Sequence, residues 1–157
     1  MKTTVLCLSL LALSLGLATA GEAAISCTIS IVSGVNFGNY DVFRAAADTT
    51  NGTILYNCKG VGSSTITIDL TPGLYGSFAQ RRMRSGAPVD FLGYNLYLDA
   101  NGQTIWGDGT SGTSRYGPLQ PANNTDTQVQ VYGRIPAGQD VSASSLYVDS
   151  VKATINF

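Results

Sequence analysis

At 157 residues, with nine Lys/Arg against ten Asp/Glu and a formal net charge of −1, the chain has no basic excess of the kind that tracks nucleic-acid backbones or anionic lipid. It contains no histidine, which excludes Ser-His-Asp and Cys-His nucleophilic machinery and His-based zinc sites. Eighteen glycines, frequent Thr and Ser, and Glu22 as the lone glutamate favour short strands and turns over long helices.

Met1 to Ala20 reads as a targeting segment. Lys2 precedes an uncharged apolar run from Val5 to Leu17, and Ala18-Thr19-Ala20 places small residues where signal peptidase cuts. The run is too short to span a bilayer, which needs roughly 18 or more apolar residues. Cleavage after Ala20 leaves 137 of the 157 residues as one exported domain, 21–157, with no membrane insertion thereafter. Cys7 leaves with the signal.

Two cysteines remain, Cys27 and Cys58, an even pair in an oxidising compartment, which points to a structural disulfide. A metal pair or a redox pair are the alternatives. Neither a histidine to complete a metal site nor a C-x-x-C spacing is present.

Strand-like segments then follow in order, separated by turn signals. Ser26 to Val32 alternates, and Ser33-Gly34 breaks it before Val35 to Tyr40. Asn51-Gly52 leads into Thr53 to Cys58, where Ile54 and Tyr56 share a face with Cys58. Ser64 to Leu70 alternates up to Thr71-Pro72-Gly73. Arg81, Arg82 and Arg84 form a basic cluster that reads as a solvated loop or a charged edge discouraging wrong strand pairing. Phe91 to Leu98 and Gln103 to Trp106 flank Asp99-Ala100-Asn101-Gly102, the strongest hairpin signal in the chain and a poor match to a calcium loop. Trp106 beside Gly107-Asp108-Gly109 reads as a partly buried cap, with an exposed sugar-stacking platform as the alternative. Gln128 to Ile135 alternates before Pro136-Ala137-Gly138.

Leu146 to Phe157 closes the chain with a period of two. Tyr147, Asp149, Val151, Ala153, Ile155 and Phe157 fall on one face. An antiparallel sandwich normally adds a neighbour to such a strand, so it is expected at a protected edge or beside a strand from another molecule. Evenly spaced short strands without a long helical pattern describe an all-β sandwich, with a closed barrel as the alternative. The carboxylates sit in turn-like contexts where Asp bonds the local backbone. No catalytic residues, cofactor or metal are expected, and the chain is not read as an enzyme.

The ordered motifs resemble the spore coat protein U domain family, whose members include subunits of archaic chaperone–usher pili of the Csu type. The matching residues are Cys27, then Val35-Asn36-Phe37-Gly38-Asn39-Tyr40-Asp41, then Gly52-Thr53-Ile54 leading to Cys58. Arg82-Met83, Tyr94-Asn95-Leu96-Tyr97-Leu98-Asp99, Trp106-Gly107-Asp108-Gly109, Val131-Tyr132-Gly133-Arg134-Ile135-Pro136 and the ending from Tyr147 complete the match.

The resemblance implies an incomplete immunoglobulin-like sandwich, six strands plus a donated seventh. A periplasmic chaperone would fill its groove first, and a neighbouring subunit's extension would replace it at an outer-membrane usher. Val151, Ala153, Ile155 and Phe157 would border that groove on one side, and Ile29 and Ile31 on the other. The carboxylate of Phe157 is an expected anchor for basic residues of a chaperone. Between Ala20 and Cys27, Ile25 is the one large apolar residue, so the chain is expected to accept a strand rather than donate one, which in a pilus would put it at the tip or at the end of a short fibre. The function so implied is that of a structural and adhesive subunit of a surface pilus, exported through the periplasm and acting in attachment or biofilm formation. The partners are chaperone, usher and other pilus subunits, with no nucleic acid. The alternatives are a secreted spore or cell-coat structural protein and a free carbohydrate-binding β-sandwich using Trp106.

Overall fold

Alternation of Ile54, Tyr56 and Cys58 with half-buried neighbours is what a strand needs to turn one face to a core and the other outward. The same period recurs through the computed structural model, which describes residues 24–144 and 146–157. The expected targeting segment lies outside these. Among the described residues nine strands are present: β1 (Ser26–Ser33), β2 (Asp48–Lys59), β3 (Ile66–Leu70), β4 (Arg81–Ser85), β5 (Phe91–Tyr97), β6 (Tyr116–Leu119), β7 (Thr127–Ile135), β8 (Tyr147–Val148) and β9 (Ala153–Asn156). They form a six-stranded sheet ordered β1-β2-β7-β5-β4-β8 and a three-stranded sheet ordered β6-β3-β9. Every pairing within them is antiparallel.

The all-β sandwich is therefore the architecture, and free edges at β1, β8, β6 and β9 set aside a closed barrel. The core lies between the sheets. Ile54, Leu92, Leu96 and Val131 from the larger sheet face Ile66, Ile68 and Leu70 from the smaller. Each fully buried aliphatic side chain contributes about 1.5–3 kcal/mol relative to exposure. Cys27 and Cys58 stand opposite one another on β1 and β2 and are joined by a disulfide.

Two elements differ from the sequence reading. The arginine cluster is a strand, β4, and it is not an edge, because β8 pairs beyond it. Arg82 and Arg84 are exposed, but Arg81 is fully buried. Its guanidinium donates to Thr71 O (3.1 and 2.9 Å), Asn95 Oδ1 (2.6 Å) and Trp106 O (2.7 Å). Burial lowers its pKa, and these neutral acceptors make the buried cation tolerable. The closing strand is also not continuous. Tyr147–Val148 pairs with β4 in one sheet, whereas Ala153–Asn156 pairs with β3 in the other.

Candidate functional site

The change of sheet between β8 and β9 is organised by Asp149. Its carboxylate accepts from Leu74 N (2.8 Å), Ser150 N (2.7 Å) and the Tyr94 hydroxyl (2.8 Å). Three donors converging on one carboxylate bend the chain away from β4 and hold the bend against the larger sheet. Burial, followed by the adjacent Asp149 carboxylate, raises the Tyr94 pKa and keeps its phenol protonated as the donor.

This corner forms one wall of an open cleft of about 350 Å³. Tyr147, Val151 and Ala153 line the wall, and Ser33 to Val35 with Phe37 line the opposite side. The floor is core: Ile54, Leu70, Leu96 and Val131. The cleft thus reaches apolar residues that a closed sandwich would cover with a further strand. It runs on into a wider depression of about 660 Å³ that shares Val35, Phe37, Met83, Tyr147 and Val148.

The adjacent edge has a defined phase. Thr71 N donates to Lys152 O at 3.0 Å, and the register Leu70↔Ala153 through Thr67↔Asn156 continues without a bulge. Bonded and non-bonded pairs alternate along an antiparallel ladder. The main-chain groups of Lys152, Thr154 and Asn156 therefore face β3, and those of Ala153 and Ile155 face the unpaired edge.

The residues expected at a groove are only partly brought together. Val151 and Ala153 line the cleft, and Ile155 packs on the core farther along β9. Phe157 lies beyond the last paired residue, Asn156, and is 58% exposed. On the other side, Ile29 packs against the core opposite Tyr56, and Ile31 pairs with Leu55 after a register shift. The cleft wall there is the chain following β1, which the expectation had not included. Its signal was present in the alternation Val35, Phe37, but nothing local shows which face of which sheet such a segment covers.

Trp106 corrects the surface-contact expectation. It is fully buried, donates its indole N–H to Ile68 O at 2.8 Å, and packs 5.9 Å from Tyr116. A large ring in a flexible turn can fill the space between sheets when its one polar atom finds a carbonyl there. It offers no exposed face to a sugar.

The sequence profile of the Spore Coat Protein U domain matches residues 15–154. Protein U of Myxococcus xanthus is 38% identical over 149 residues, covering 84% of this chain and 78% of that protein. Among solved structures, the fold is similar to the CsuC–CsuE chaperone–tip adhesion subunit pre-assembly complex from archaic chaperone–usher Csu pili of Acinetobacter baumannii. That match has a TM-score of 0.51 at 17% identity and covers 85% of this chain. This chain spans 40% of the length of the matched chain. The protein belongs to the Spore Coat Protein U domain family.

Proposed function

We propose that this protein is a secreted structural subunit of a chaperone–usher surface fibre, and that its cleft accepts a β-strand from another chain. The observation that carries the reading is the unpaired edge of β9 beside an apolar cleft floored by core residues. A strand added there gains main-chain partners at Ala153 and Ile155 while its alternate side chains cover the floor. A periplasmic chaperone supplies that strand first and a neighbouring subunit later, at an outer-membrane usher. Removal of residues 1–20 on export and the Cys27–Cys58 disulfide fit a route through an oxidising compartment. The role is structural and adhesive rather than catalytic. The likeness to a complex containing a tip adhesion subunit supports a place at the fibre tip.

The test is thermal unfolding of the oxidised chain without residues 1–20, alone and with peptides of alternating apolar pattern. A ligand that binds only the folded state stabilises it by about 2.7 kcal/mol at a hundredfold excess over Kd. A rise in midpoint specific to one alternating peptide is the expected result. A high midpoint unmoved by any such peptide refutes strand acceptance. It would favour the second reading, a coat structural protein, which the Spore Coat Protein U domain match supports.

A further inference from the structure

The wall formed by residues 34–40 has an unusual construction. Val35 and Phe37 turn inward and Asn36 outward, the alternation of a strand. Yet among the described residues no main-chain hydrogen bond joins 34–40 to any strand. The segment is held by side chains. Phe37 meets Tyr94 edge-on at 6.0 Å, and the Tyr40 hydroxyl donates to Pro136 O (3.1 Å) and accepts from Gln139 N (3.0 Å).

Its seat is equally specific. Gly52 on β2 and Gly133 on β7 both face the core, where neighbouring inward positions carry Ile54 and Val131. A Cβ at Gly52 would stand 2.7 Å from Ser33 O and 2.9 Å from Val35 Cγ2, and one at Gly133 would overlap Val35 Cγ1 and stand 2.8 Å from Phe37 Cζ. Two adjacent strands thus leave a depression in their inner face, and Val35 and Phe37 fill it. Gly34 and Gly38 bracket these two residues. A Cβ at either glycine would meet no atom within 4 Å, and Gly38 has φ +70°. Glycines there let a short segment swing without steric cost.

We propose that residues 34–40 are an internal strap that mimics part of a bound strand, seated over Gly52 and Gly133 at the side of the cleft in the free subunit and leaving that seat when a strand enters. This rests on the strand-accepting reading of the cleft and adds a regulator to it. The strap offers two inward-facing apolar side chains, which any cleft-filling strand must also offer. Because it has no ladder bonds to break, it competes through side-chain packing and the two Tyr40 hydrogen bonds. It shields the core of the unfilled subunit and sets a threshold that an incoming strand must exceed.

The experiment places para-fluorophenylalanine at position 37 and titrates the oxidised protein with a synthetic peptide alternating valine and threonine. Fluorine NMR follows the ring, and hydrogen exchange follows the amides of Ala153 and Ile155. The expected result is protection of those amides together with movement of the fluorine signal to a solvent-exposed position, broadened by a soluble paramagnet. Protection at Ala153 and Ile155 with Phe37 still buried would overturn the strap while leaving strand acceptance intact. No protection at β9 would overturn both. In a second measurement, Val35→Ala combined with Phe37→Ala is expected to speed peptide association roughly tenfold by raising the competent fraction. An unchanged or slower rate counts against the strap.

Discussion

Arg81 and Trp106 meet at one corner of the core, where the polar atoms of both find main-chain carbonyls. The guanidinium takes the carbonyl of Trp106, and the indole gives its N–H to Ile68. Trp106→Phe keeps most of the volume but removes the indole hydrogen bond to the Ile68 carbonyl, and is expected to cost about 0.5–1.5 kcal/mol. Trp106→Ala also leaves a cavity and is expected to cost about 3–5 kcal/mol. Urea titrations of the three proteins check the order; equal midpoints would show that the ring is not a core element. The sequence reading had Trp106 as a partly buried cap, but not that its ring is wholly enclosed, and the burial of Arg81 was not legible at all. The acceptors of Arg81 lie 10, 14 and 25 residues away and the acceptor of Trp106 lies 38 away, so local composition shows a basic run and a loop aromatic. Cys27 and Cys58 were legible because export and parity constrain two cysteines to one pairing.

At the scale of single elements, what the sequence revealed depended on how far away the partners lay. The Asp99 turn is local and was readable. Its carboxylate accepts from Thr104 N (2.7 Å), Gln103 N (3.2 Å) and Asn101 N (3.0 Å). The bond from Thr104 leads in holding its pKa below the ordinary Asp value. A pKa depressed in the folded state contributes stability above the unfolded Asp pKa, and that contribution fades as pH falls through the folded value. Asp99→Asn is therefore expected to flatten the acid side of the stability profile, read as midpoints between pH 2 and pH 7. An unchanged slope would assign the acid sensitivity elsewhere. The closing strand shows the opposite case. Its period of two was plain, but its division between two sheets depends on Leu74 and Tyr94 reaching Asp149 from far along the chain. Val35 to Tyr40 read as strand-like for the same alternation, and became an unpaired segment because two distant glycines make room for its side chains.

For the molecule as a whole, the sandwich is tied on one side by continuous chain between β8 and β9 and open on the other beside β1. β1 pairs with β2 alone, and the disulfide fixes its first residues there. Replacing both Cys27 and Cys58 with serine is expected to cost about 2–5 kcal/mol, measured by denaturant unfolding against the oxidised protein. A smaller loss would mean that the ladder alone holds β1. The same bond has a mechanical meaning. Cys27 and Cys58, 31 residues apart, close a covalent ring around most of β1, the strap and nearly all of β2. A pull applied to the chain ahead of Cys27 crosses sulfur to sulfur and continues at Lys59, so the main chain enclosed by the bond carries none of it. Pulled between its two ends in a single-molecule experiment, the oxidised protein is expected to extend only outside this ring, while residues 28–57 stay slack.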